Sequence, residues 1–225
     1  MKGGFFNLDL KGKRIGFVLT GSFCNFRKTI DELKKIVQLG AEIVPIMSEN
    51  SYTLDTKYGN ASDFRDEIEE ITQTKILHTI LEVEQLGPKG MLDIIVVAPA
   101  TSNTIAKLAN DITDGPATIA VKSHLRQEKP VVIAISANNG LSGAGENIGK
   151  LLNRKHYYFV PFRQDNPFTK PRSPVFTKIG FYSFYMSNLK YFSDCLLRGL
   201  SQSNCNINFC NKLTQYSKND IIKTQ

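Results

Sequence analysis

The sequence predicts an α/β fold: a doubly wound, mostly parallel sheet of about five or six strands with helices on both faces. Three observations carry this. Short β-branched runs alternate with segments of helical period. The most strand-like run, Leu92–Ala98, is apolar throughout, as a strand buried on both faces requires. The chain has 225 residues, 41% of them hydrophobic, enough for one real core.

The elements follow in order. Lys13–Thr20 is an apolar run led by basic residues and reads as a buried first strand, ending in the turn signal Gly21-Ser22-Phe23. Lys28–Leu39 has apolar residues at 30, 33, 36, 37 and 39, close to a 3.6 period, and Gly40 stops it. Glu42–Met47 is a second strand, so the first 47 residues spell a right-handed βαβ unit. After a polar loop over 56–61, Ser62 is the expected N-cap of a helix reaching about Ile71. Ile76–Ile80 fits strand or helix. Pro88–Gly90 is a loop, and Pro99 is expected to end the central strand. Thr101–Ala109 and Pro116–His124 read as helices, Val131–Ser136 as a buried strand, and Asn138–Gly145 as a Gly/Asn-rich loop. Ile148–Asn153 is a short helix and Tyr158–Pro161 a last short strand. From Val175 the composition turns to Phe, Tyr, Ser, Asn and Cys, with no clean period.

Bulk properties narrow the function. Mean hydropathy is −0.20. No apolar run approaches the ~20 residues that cross a bilayer. The N-terminus lacks the apolar stretch and small-residue site of a signal peptide, so the expectation is a cytoplasmic protein with no membrane partner. Net charge is +7, and residues 175–225 supply much of it, with six Lys/Arg against Asp194 and Asp220. The main body shows no Arg/Lys cluster interleaved with aromatics, so no nucleic acid partner is expected. The four cysteines, Cys24, Cys195, Cys205 and Cys210, have no metal-ligand spacing, and no metal is expected.

In an open α/β sheet, ligands sit beyond the carboxyl ends of the strands. Two loops lie there. After the first strand, Thr20-Gly21-Ser22-Phe23-Cys24 leads into a helix; Gly21 permits an unusual backbone angle or close approach, and amides with the Ser22 hydroxyl suit an anion. An ordinary turn with Ser22 as N-cap fits this loop equally well. After the central strand, Pro99, Ala100, Thr101, Ser102, Asn103 and Thr104 set more hydrogen-bonding side chains at a helix start than capping needs. That excess favours a ligand such as a phosphate, a ribityl chain or a ring edge. Ser48, just past the second strand, joins the set.

These residues carry a resemblance. Thr20-Gly21-Ser22, then Pro99-Ala100-Thr101-Ser102-Asn103-Thr104, Lys107-Leu108-Ala109 and Ile112-Thr113-Asp114 resemble the flavoprotein family that includes flavin-containing cysteine decarboxylases and flavin prenyltransferases. Leu10–Phe17, Glu42–Ile46, Leu86–Lys89, Tyr158–Phe162 and Gln164-Asp165-Asn166-Pro167 narrow the match to the B-subunit family of dipicolinate synthase, over about residues 10–174. The resemblance implies a flavoprotein (Rossmann-like) three-layer sandwich. It implies FMN held by the two loops with its phosphate near the first. It also implies work with the A subunit of dipicolinate synthase, which uses NADP. Together they would oxidise a dihydrodipicolinate-type precursor to dipicolinate in the mother cell during sporulation. A small dicarboxylate substrate and a homo-oligomer belong to the same expectation. A stand-alone FMN-dependent decarboxylase or prenyltransferase, and a non-catalytic nucleotide-binding scaffold, are the alternatives.

Catalytic residues stay unassigned. The decarboxylase branch uses a His and a reactive Cys flap, but His78 lies far in sequence from both loops and reads as a partly buried or surface residue. His124 and His156 read as surface residues, and Cys24 as a free structural thiol. Gln164–Pro167 reads as an exposed loop, with closure over the crevice and a dicarboxylate contact by Lys170 and Arg172 as the sharper alternative. Asp114 reads as a helix cap or turn residue rather than a catalytic one. Residues 1–174 form the expected domain. For 175–225 a lineage-specific partner-binding extension competes with a shifted reading frame; the frameshift is favoured, and order there is not expected.

Overall fold

The computed structural model describes residues 10–87 and 90–176. Five parallel strands form the sheet: β1 (Arg14–Leu19), β2 (Glu42–Met47), β3 (Ile94–Ala100), β4 (Val131–Ile135) and β5 (Tyr157–Phe159), in the order β2-β1-β3-β4-β5. All these residues except Arg14, Glu42 and Tyr158 are buried. Such continuous runs can sit only where helices cover both faces. The helices are α1 (Phe26–Gln38), α2 (Glu49–Thr53), α3 (Ala61–Thr72), α4 (Ile80–Glu84), α5 (Ser102–Ala109), α6 (Pro116–Leu125) and α7 (Gly145–Leu152). The described residues all fall in one compact unit.

Several expectations change. The α3 cap is Asn60, not Ser62, and the Ala61 amide donates to Asp55 Oδ1 at 2.8 Å. The ambiguous segment is part strand and part helix. Leu77 bridges Ile46 at the carboxyl end of β2, then Thr79 closes a capping box with Glu82 and starts α4. Pro99 does not end the central strand. The ladder passes through a cis Ala98–Pro99 bond and an irregularity in register to Ala100 opposite Ile135.

Gln164–Pro167 is not a simple loop. Phe162–Asn166 (β6) pairs antiparallel with Lys170–Phe176 (β7), so the hairpin takes in Val175 and Phe176 as well. The rest of the divergent tail, with its proposed reading frame and its three cysteines, lies outside the described residues, as do Pro88 and Lys89.

His124 also departs from expectation. It is 4% exposed near the end of α6, where Nε2–H donates to Pro130 O at 3.1 Å. Between the two, Glu128 takes a left-handed backbone angle, φ 53°. Burial pushes its pKa down to about 4. His156 is half-buried at a left-handed backbone position, and burial lowers its pKa too.

Candidate functional site

The sheet order places a switch point between β1 and β3. The chain leaves β1 toward β2 on one side, while β3 and β4 extend the sheet on the other. The crevice beyond these carboxyl ends is where ligands bind in open sheets. Both predicted loops meet there. Thr20 Oγ1 donates to Pro99 O at 2.7 Å and accepts from the Thr101 amide at 3.1 Å, so one buried hydroxyl ties the loops together.

The first loop is held differently from expectation. Ser22 makes no side-chain cap bond; a 3-10 turn over Phe23–Asn25 intervenes before α1. Its hydroxyl lies 2.6 Å from Ser136 Oγ at the end of β4, and Ser136 Oγ also accepts from Asn25 Nδ2 at 2.6 Å. Gly21 does not adopt a left-handed angle, and a Cβ there would make only ordinary contacts, 3.6 Å to the Phe23 ring and 3.9 Å to Asn50 Cβ. Phe23 is half-buried, its ring 5.1 Å from that of Phe26.

In the second loop Thr101 is the N-cap of α5. Its Oγ1 accepts from the Thr104 amide at 3.2 Å and sits 3.0 Å from Thr104 Oγ1. Ser102 donates to Asn139 Oδ1 in the loop after β4. Asn103 is exposed. The first amides of α5 have no partner in the helix ladder and point at the crevice. Thr101→Val removes the cap and is expected to lower stability by about 1 kcal/mol, read as a fall in the urea midpoint with unchanged slope.

Ser48 lies on the flank. Its amide donates to Leu19 O at 3.0 Å, and its hydroxyl caps α2 through the Ser51 amide at 3.4 Å. His78, remote in sequence, comes to the same edge. It stacks on Tyr52 of α2 with ring centroids 3.7 Å apart and 3° between planes. Arg65 also packs on the Tyr52 ring, 4.6 Å from its centroid. His78 Nδ1 is buried without a hydrogen bond, 3.6 Å from Glu82 Oε2.

The hairpin docks on the end of β4. Ser136 bridges Val175, the Ala137 amide donates to Pro174 O at 3.2 Å, and the Leu141 amide donates to Arg172 O at 3.0 Å. Lys170 bonds Asp165 at 2.8 Å, and its pKa is raised chiefly by that bond; Cys24 and Tyr58 are near enough to add to the effect. The hairpin therefore reaches from β4 toward the first loop. A Cβ on Gly140 would lie 2.3 Å from Pro174 Cγ and 2.8 Å from its Cδ, a rigid ring. Gly140→Ala is expected to displace the hairpin at a cost of about 1–3 kcal/mol. Faster hydrogen exchange at the Ala137 and Leu141 amides would report it; unchanged protection would contradict it.

Sequence reasoning placed Thr20 in the first loop without its bridging role, and missed Asn25, Ser136 and Asn139. Ser136 and Asn139 were open to the rule already applied to β1 and β3, since they follow the carboxyl end of β4. The donor set is neutral, made of hydroxyls, amides and a helix start beside a half-buried aromatic ring. That chemistry suits a phosphate and a flat polar ring system.

The Flavoprotein family model matches residues 7–163. The B subunit of dipicolinate synthase from Bacillus subtilis is 42% identical over 167 residues, 74% of this chain and 84% of that protein. The chain belongs to the flavoprotein family, in its dipicolinate synthase B-subunit branch. A crystal structure of the dipicolinate synthase B subunit from Bacillus halodurans superposes with a TM-score of 0.71 at 39% identity, covering 78% of this chain and 90% of that one. The FMN-dependent cysteine decarboxylase SpaF shares the fold, with a TM-score of 0.60 at 21% identity over 80% of this chain and 98% of its own. The expected α/β flavoprotein fold therefore holds, with five parallel strands. No described helix is long and apolar enough to cross a membrane.

Proposed function

We propose that this chain is the B subunit of a dipicolinate synthase. With an A subunit that uses NAD(P), it serves the oxidation of a dihydrodipicolinate-type precursor to pyridine-2,6-dicarboxylate in the mother cell of a sporulating bacterium. The observation that carries this is the 42% identity to a protein of that name across most of both chains. In the oxidation the precursor ring loses a hydride to the nicotinamide and a proton to solvent. The hydride chemistry lies with the A subunit.

FMN belongs to the same proposal, and the crevice fits it. Gly21, Ser22, Phe23 and Ser48 would line the phosphate side, and Pro99, Ala100, Thr101, Ser102, Asn103 and Thr104 the ring side. Bound there, flavin would supply a two-electron redox centre. The chain's own residues hold the pocket: Thr20 fixes the distance between the loops, and Ser136 with Asn25 fixes the first loop against β4. Lys170 and Arg172 would meet a dicarboxylate from the hairpin. Self-association is part of this reading.

The test is dipicolinate formation, followed by ultraviolet absorbance, with precursor, NADP and the A subunit, in the presence and absence of this chain. Product only when both chains are present supports the proposal. Equal activity in the absence of this chain overturns it and brings forward the stand-alone flavin-enzyme reading. Turnover of a cysteine-type or prenyl substrate by the FMN-loaded chain on its own would establish the decarboxylase or prenyltransferase reading instead.

A further inference from the structure

A second concave surface lies away from the crevice. α5 starts at the carboxyl end of β3 and runs back about 12 Å along the sheet. The residues at and after its far end, with Tyr157 at the start of β5 and the outer side of α6, enclose a groove of about 360 Å³. That volume is at the lower end of small-molecule sites.

Three features set it apart from a solvated face. Leu108, Leu125 and Ile112 give it an apolar lining, and Ile112 stays 47% exposed. Lys122 in the last turn of α6 and Arg126 at its C-cap, four residues on, stand over it. Neither has a carboxylate partner among the described residues, and Lys122 Nζ donates to Thr113 Oγ1 at a long 3.4 Å. The carboxylate in the lining, Asp111, is already neutralised by a two-pronged pair with Arg154 at 2.8 and 3.1 Å. At the base sits Tyr157, 8% exposed, whose phenol burial pushes up to about 12, so it remains a hydrogen-bond donor.

Two cations without carboxylate partners, a protonated phenol and an apolar wall match one ligand chemistry. A carboxylate would meet Lys122, Arg126 and the phenol, and a flat apolar body would cover Leu108 and Leu125. We infer that this groove is a binding site for a small planar carboxylate, separate from the crevice of β1 and β3.

Titration calorimetry on the full chain tests it, with benzoate as probe and acetate, which lacks the apolar body, as control. Benzoate is expected to bind one equivalent at least tenfold more tightly than acetate. Binding should weaken as salt rises. The double variant K122Q/R126Q is expected to weaken it tenfold or more, and Tyr157→Phe several-fold, with circular dichroism unchanged in both. Saturating FMN should not compete. No benzoate binding, equal binding by the folded double variant, or competition by FMN would each overturn the site. None of these outcomes depends on dipicolinate formation.

Discussion

Replacing Ser136 by valine is expected to lower flavin affinity tenfold or more and to destabilise the protein by about 1–3 kcal/mol. Ser136 Oγ belongs to a residue only 5% exposed and joins Ser22 and Asn25 across more than a hundred residues of sequence. Valine offers no acceptor and adds one methyl-sized group, which the isosteric threonine variant adds as well. The Asn25 amide, in a residue itself 8% exposed, would then lose its bond to Ser136 inside the protein, and that asymmetry sets the energetic cost. The loop of Gly21, Ser22 and Phe23 would lose its tie to β4, and a site loosened by about an ångström binds poorly. Flavin fluorescence quenching on titration and urea unfolding would measure the two effects. Ser136→Thr, which keeps the hydroxyl, should recover most of both. If the valine variant bound FMN as tightly as the parent, the crevice would not be the flavin site.

The same cluster shows where sequence reasoning stops. The apolar runs of β1, β3 and β4 name their elements because burial on both faces leaves no other residue types there. The end-of-strand rule then finds the loops at Gly21 and Pro99. It does not find Thr20 bridging them, because that contact exists only once β1 and β3 lie side by side, 79 residues apart in sequence. The hairpin was illegible for another reason. β6 and β7 are mostly polar, and Pro171 and Pro174 argue against a central strand. A two-stranded ribbon tolerates them because one edge of each strand needs no partner. His78 was placed by no local pattern either. Its position at the rim follows from the single bridge of Leu77 to Ile46 and the stack on Tyr52.

Acid is expected to weaken the fold through His124. Its folded pKa is about 4 against an ordinary 6.5, with burial as the main cause; Lys129 and His156 push the same way, while Asp93 and the Pro130 carbonyl oppose. Between these values the unfolded chain binds the proton and the folded chain does not, so stability rises with pH across that window. The contribution is complete above about pH 6.5 and is lost as pH falls toward 4, amounting to at most about 3 kcal/mol. His156, lowered in the same direction, adds to the slope. His124→Gln keeps a donor for Pro130 O and removes the titration. Urea unfolding of both proteins at pH 7.5, 6.5, 5.5 and 4.5 should show the parent losing stability faster than the variant below pH 6.5. The two should run parallel above it. Parallel curves throughout would mean that His124 accepts its proton in the folded state as readily as in the unfolded chain, and that the ring is not held in a dry site.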